Sequence, residues 1–317
     1  MNKRLSIIAG VAIFVFGTMF TGYAANRQEI DRKINIVGSS FPEYDFARAI
    51  VGNNANVAML TPPGASVHSF EPSPSDIIRI QNSDAFIYVG GESNAWVKRI
   101  IDSIDTSNME IIRLMDYVET MHEEIKDGMQ LGDEDGGDGD EIEYDEHIWT
   151  SPKNAIRLIE VICEALCGID SENADIYRSN AKQYQDALKK ADEEITDVVS
   201  KAVRKKIVVA DKFPFLYFVR AYGLDYAAAF PGCSDQADAG VKTILYLVKT
   251  VEDENIPYVY HVELSNKSVA MAISEQTGTG MLQLNSCHNL SKVDFEAGVT
   301  YLDLMSQNIE NLRRGLW

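Results

Sequence analysis

Positive charge and histidine are both scarce in this chain. Its 317 residues hold 29 Lys and Arg against 48 Asp and Glu, a formal net charge of −19, and only five His. So acidic a surface repels phosphate backbones, which excludes nucleic acid as a partner. It attracts cations, although acidity alone is common in soluble proteins. Motifs of chemistry are missing too. There is no H-E-x-x-H helix, no G-x-S-x-G elbow and no phosphate-binding loop, which argues against a hydrolase.

Long apolar runs are confined to the start. Lys3 and Arg4 precede an apolar stretch from Leu5 to Phe20, followed by the small-residue cleavage pattern Gly22-Tyr23-Ala24. Residues 1–24 therefore read as a secretory signal peptide. The run is short for a full membrane span, and an uncleaved signal anchor is the alternative. Thr21-Gly22-Tyr23 is similar to a lipoprotein cleavage box with tyrosine where the lipid-bearing cysteine would sit, so Tyr23 cannot be acylated. The expected location is extracytoplasmic, in the periplasm or at the cell surface. No later segment is apolar enough to span a bilayer.

Cysteine is sparse: Cys163, Cys167, Cys233 and Cys287. Cys163 and Cys167 fall four apart on a predicted helix, where side-chain origins lie about 6 Å apart; a disulfide needs about 4 Å, so that pair is expected to stay unbridged. Cys233 and Cys287 each follow a predicted strand. A disulfide between them and zinc ligation by one of them are both open.

What is abundant is short apolar segments alternating with helical ones, the pattern of parallel βα units. Strands are predicted at Ile34–Val37, Val57–Leu60, Phe86–Val89 and Ile111–Leu114, with helices near Phe46–Val51, Asp76–Gln81 and Ala95–Ile104. The second half repeats the scheme. Strands at Ile207–Ala210, Tyr226–Phe230, Tyr258–Val262 and Met281–Leu284 alternate with helices near Pro214–Tyr222, Val241–Asn255 and Lys267–Thr277. Between the halves, 171–203 contains no glycine or proline. Tyr177, Ala181, Tyr184, Leu188, Ala191, Ile195, Val198 and Ala202 draw one apolar stripe down a single long helix. The expected fold is α/β: two similar lobes, each a four-stranded, mainly parallel sheet flanked by helices, joined by one long rigid helix. The boundaries are 31–170 for the first lobe, 171–203 for the linker helix and 204–317 for the second lobe.

One stretch does not look like a fold element. Residues 133–146 read DEDGGDGDEIEYDE, and self-repulsion with glycine entropy predicts a mobile acidic loop over 122–146. Its role is either that of a solvated surface loop or that of a weak cation-collecting arm. The spacing does not match a calcium-binding helix–loop–helix.

The few histidines are informatively placed. His68 lies in TPPGASVHSFEPSPSD between a strand and a helix, in a loop stiffened by Pro62, Pro63, Pro72 and Pro74. Ligands of open parallel sheets bind beyond the carboxyl ends of strands. His147 closes the acidic run in YDEHIWTSP, where Ile148 and Trp149 can anchor it. His288 in LNSCHNLS follows the last predicted strand, the position in the second lobe that matches His68 in the first, so the two can face each other across a cleft. His261 alternates with Tyr260 and Val262 inside a strand and reads as structural.

The stretches IVGSSFPEYDFARAIVGN, LTPPGASVHSFEPSPSDI and DEHIWTSPKNA resemble the zinc- and manganese-specific solute-binding proteins of ABC importers, the group with a rigid interlobe helix. The resemblance runs from about Ile34 to the C-terminus and is most specific at HSFEPSPSD and DEHIW-x-x-P. It implies His68 and His147 as first-lobe metal ligands. Zinc-specific members often carry a mobile His- and acid-rich loop before the second ligand; here it is acidic, with only His122 at its start.

The second lobe departs from that pattern. The third ligand of the family precedes an aromatic stretch like FPFLYFVRAYGL, and counting back from Gly223 places Lys212 there. Asp211 is the nearest carboxylate, either a ligand or a partner of Lys212. The family's fourth ligand, an aspartate after the last strand, is replaced by Asn285-Ser286, and His288 is inferred to substitute. The expected set is thus His68, His147, His288 and Asp211, with Glu263 more a hydrogen-bond acceptor than a ligand and Cys287 a further candidate to complete the site. Three imidazoles and one carboxylate suit zinc, with manganese the alternative. The resemblance implies a monomeric, non-enzymatic protein that carries a divalent metal to an ABC permease. The competing readings are a surface adhesin on the same scaffold and a zinc hydrolase with Glu263 as base.

Overall fold

The computed structural model describes residues 32–130, 143–232, 234 and 238–317. The signal-peptide reading, most of the acidic run and the Cys233 end of the weighed disulfide lie outside these residues. Cys287 carries a free, buried thiol, as do Cys163 and Cys167, whose sulfurs are 3.9 Å apart.

The first sheet contains β1 (Asn35–Gly38), β2 (Asn56–Met59), β3 (Ala85–Tyr88) and β4 (Glu110–Arg113), in the order β2-β1-β3-β4. The second contains β5 (Lys206–Phe213), β6 (Asp225–Pro231), β7 (Tyr258–His261) and β8 (Gly280–Gln283), in the order β6-β5-β7-β8. Every pairing within them is parallel. Both faces of each sheet are covered, which is why these strands read as short unbroken apolar runs. Ile36 and Ile87 point to one core with α1 (Phe41–Val51) and α4 (Pro152–Ile169), while Val37 and Phe86 point to another with α2 (Pro74–Gln81) and α3 (Ala95–Ile101). In the second lobe Ile207 and Val209 face α6 (Leu216–Tyr222), and Val208 and Ala210 face α7 (Val241–Asp253) and α8 (Ser268–Thr277).

The linker helix is α5 (Ala174–Ser200), 27 residues and so about 40 Å at ~1.5 Å per residue. Its stripe serves both lobes: Tyr177, Ala181 and Leu188 enter the first core, and Ala191, Ile195 and Val198 enter the second. A second bridging helix was not among the expected elements. After the short α9 (Lys292–Glu296), α10 (Tyr301–Leu316) packs beside α5, placing Tyr301, Leu304 and Met305 in the first core and Ile309, Leu312 and Leu316 in the second. Its start is fixed by a reciprocal cap. The Thr300 hydroxyl accepts from the Asp303 amide, and the Asp303 carboxylate accepts from the Thr300 amide. Arg313 and Arg314 sit in its last turn, where cations favour the helix dipole.

Between β8 and α10 the chain passes back to the first core. Cys287 and Leu290 belong to the first core, because the chain leaves the second sheet at β8 and crosses back before α10 begins. Among the described residues no helix is long and apolar enough to cross a membrane.

Candidate metal centre

Three loops converge where the carboxyl ends of the two sheets meet. The first, after β2, carries His68. Its turn is clamped by the backbone: the Gly64 amide, at φ +84°, donates to Leu290 O at 2.8 Å. The Asn289 side chain donates to Pro62 O and Ala65 O at 2.9 and 2.8 Å. The second loop carries His147. The Asp145 amide donates to Met121 O, and the Tyr217 hydroxyl donates to Asp145 O at 2.8 Å. Trp149, fully buried, donates its indole N–H to Ser286 O at 2.8 Å. The third loop follows β8 and carries His288 beside Cys287, a non-glycine residue in the left-handed region at φ 58°. That strained turn is held by Glu263, which accepts from Ser286 N (2.6 Å), Ser286 Oγ (2.5 Å) and His288 N (3.3 Å).

The three imidazoles face one another with ring centroids 5.0 to 5.6 Å apart. One nitrogen from each lies within 4.8 Å of the other two. A tetrahedral zinc with bonds of 2.0–2.1 Å wants its ligand nitrogens about 3.4 Å apart, so small ring movements would bring them into ligation. The chemistry of the rings favours one nitrogen in two cases. His147 Nδ1 lies 3.0 Å from Asp145 Oδ1, and His68 Nδ1 lies 3.4 Å from Glu146 Oε1. A nitrogen whose proton faces a carboxylate is not a donor to a metal, which leaves Nε2.

Electrostatics separates the histidines. Burial pushes His147 down, but the Asp145 carboxylate and its hydrogen bond, aided by Glu146 and Glu123, outweigh it, and its pKa is raised. His288 is held well below the ordinary histidine value, first by burial and then by His68, His147 and Lys212, so it stands neutral and ready to donate. Burial pushes the Glu146 carboxyl up, but the contacts with His68 and His147 and the Ser93 hydrogen bond prevail and lower it. For Glu263 burial prevails and its pKa is raised despite its backbone partners.

Asp211 and Lys212 line the same cavity of about 350 Å³. β5 runs past its expected end at Ala210, and its register shifts between Val209 and Lys212, the stretch that holds Asp211. Asp211 stands outside the cluster of three histidines. Its carboxylate accepts from Lys212 N at 2.9 Å and Val262 N at 3.4 Å. His261, buried at the end of β7, places Nδ1 3.0 Å from Val262 O, and His122 stacks on Tyr144 at 4.5 Å; neither joins the cluster.

The family described as zinc-uptake complex component A, periplasmic, matches residues 36–315. The chain belongs to this family. Zinc-binding lipoprotein AdcA of Streptococcus pneumoniae is 29% identical over 298 residues, covering 93% of this chain and 58% of that protein. The chain thus spans less than two thirds of that relative's length. High-affinity zinc uptake system protein ZnuA of Bacillus subtilis is 26% identical over 290 residues, 90% of this chain and 88% of its own. The Zn(II)-bound ZnuA-like domain of Streptococcus pneumoniae AdcA superposes with a TM-score of 0.74 at 27% identity, over 90% of this chain and 99% of that domain.

Against this zinc-uptake family background, sequence reasoning passed over Asp145 and Glu146. In sequence they are the last members of an acidic run, whereas both are buried beside imidazoles. The signal available was their position, immediately before a histidine followed by Ile148-Trp149.

Proposed function

We propose that this protein captures a divalent zinc ion outside the cytoplasm and delivers it to an ABC permease, as a monomer and without transforming it. The observation that carries the reading is the convergence of His68, His147 and His288, with two of their rings backed by buried carboxylates. Nitrogen-rich donors favour zinc over manganese, which prefers more oxygen. The names of relatives that align along nearly the whole chain support the same cargo.

In this reading Nε2 of His68, Nε2 of His147 and one ring nitrogen of His288 take three positions of a tetrahedral shell. Asp211, the cavity carboxylate of the second lobe, swings from the Val262 amide to close the fourth. Glu263 acts through the backbone of Ser286 and His288, keeping the His288 turn in place. Two helices, α5 and α10, tie the lobes together, so release is a small tilt and not a wide opening.

The test is metal content and zinc affinity of the parent beside a His68→Ala, His147→Ala double variant. One tightly held zinc in the parent and none in the variant is expected. No tight metal in the parent would sink the reading.

A further inference from the structure

We propose that Glu146 is a positioning residue of the metal centre, holding the His68 ring so that Nε2 faces the other two imidazoles. The proposal rests on the zinc-capture reading above. Glu146 is only 1% exposed, and its two oxygens do different things. Oε2 accepts from the Ser93 hydroxyl at 2.6 Å, while Oε1 lies 3.4 Å from His68 Nδ1. The second separation is that of an ion pair and longer than a good hydrogen bond. It leaves room to tighten when a cation at Nε2 draws electron density out of the ring and makes the Nδ1 proton a stronger donor.

The fold makes space for this carboxylate. After β3 the chain turns through Gly90 and Gly91, both at positive φ, and the turn is held by the Gly90 amide donating to Asn94 Oδ1 at 3.0 Å. A Cβ on Gly91 would lie 2.6 Å from Glu146 Oε2 and 2.9 Å from its Cβ, so any side chain there would expel the carboxylate. Three segments, the β3 turn, the 143–147 segment and the His68 loop, therefore meet on one buried anion. Asp145 does not duplicate this work, because it serves His147. Consecutive acids thus back two different histidines, one each. His68 also needs the help more than its neighbour: its side chain is 13% exposed, against 1% for that of His147. Burying an anion costs free energy unless it is paired, and a carboxylate behind a ligating imidazole is the arrangement that orients the ring and raises its basicity as a donor.

The experiment compares parent, Glu146→Gln, Glu146→Ala and Ser93→Ala. Zinc affinity comes from competition with a chromophoric chelator, and the His68 tautomer from ring ¹⁵N NMR of the metal-free protein. Glu146→Gln is expected to weaken zinc about 10–100-fold, the usual worth of such a partner, and Ser93→Ala less. The metal-free parent should carry its His68 proton on Nδ1, and Glu146→Ala should shift it toward Nε2. Unchanged zinc affinity together with an unchanged tautomer would overturn the proposal and leave zinc capture standing. A parent without zinc would overturn both. A Glu146 variant that fails to fold leaves Ser93→Ala, which keeps the charge and removes the Ser93 hydrogen bond to Oε2; parent-like affinity there then decides against the proposal.

Discussion

The orders β2-β1-β3-β4 and β6-β5-β7-β8 are one plan used twice, yet the two lobes contribute to the site unequally. The first supplies His68 and His147 directly from loops beyond its sheet. The second supplies the opposite wall, with Asp211 and Lys212 at the end of β5 and Glu263 after β7. His288 follows β8 in sequence and its turn is held by Glu263 of the second lobe, but the first lobe grips the same loop. Ser286 O accepts from Trp149, Leu290 O accepts from Gly64, Asn289 donates to Pro62 and Ala65, and Cys287 sits in the first core. The loop that carries His288 is therefore tied to both lobes, to the first by Trp149, Gly64 and Asn289 and to the second by Glu263. The lesson is that chain position assigns a residue to a sheet, whereas hydrogen bonds and packing assign it to a rigid unit.

The largest expected effect tests that assignment. If His288 ligates alongside His68 and His147, His288→Ala should cost as much zinc affinity as His147→Ala, and more than the 10–100-fold typical of an outer partner. Isothermal titration of the two single variants checks it. A His288→Ala protein that binds like the parent would make the His288 loop a bystander and break the comparison at its centre.

Next in size is the pH dependence, where the histidines differ by environment. A metal must displace the proton of any ligand that is protonated. The raised pKa of His147 means that it begins to gain a proton above the ordinary histidine value of 6.5. His288, held well below 6.5, stays neutral over the same range and does not compete. Zinc affinity should therefore decline as pH falls, starting above 6.5, with the His147 step contributing up to about tenfold per pH unit for one displaced proton. Asp145→Asn removes the carboxylate that outweighs burial and should move the onset to lower pH. Affinity independent of pH between 8 and 6, on the order of a full histidine titration, would count against histidine ligation.

Most of the scaffold was legible because its signals are local. The eight observed strands fall within a few residues of the predicted ones, since apolar segments between turn residues are how a doubly covered parallel sheet reads. The α5 stripe was equally plain. What stayed hidden depends on where the chain goes afterwards. α10 has a reciprocal cap and an apolar face, yet its bridging role emerges only when Tyr301 is seen against Phe46 and Leu316 in the second core. Asp145 and Glu146 are two acids at the end of an acidic run, and the one mark that sets them apart from a solvated carboxylate is their place just before His147-Ile148-Trp149. Asp211 is legible as a carboxylate near a strand end, but the register shift beside it and the amides that it meets are not.

The smallest expected effect concerns that residue and the second lobe's share of the shell. Asp211 lines the cavity but is turned toward the Val262 and Lys212 amides, so closing the shell requires it to give up hydrogen bonds that it already makes. Zinc held by three histidines accepts water in the fourth position, and Lys212 beside the site opposes the gathering of positive charge there. Both facts reduce what the carboxylate adds. Asp211→Asn should therefore weaken zinc by no more than about tenfold, near 1.4 kcal/mol, with the visible absorption of a cobalt-substituted protein shifting as one oxygen donor is exchanged for another. A loss as large as that from His288→Ala would show that the second lobe holds the metal as strongly as the first and that the division of labour drawn here is wrong. An unchanged cobalt spectrum with parent-like affinity would show instead that water fills the fourth position, leaving the second lobe as the wall of the site and the three histidines as its whole protein ligand set.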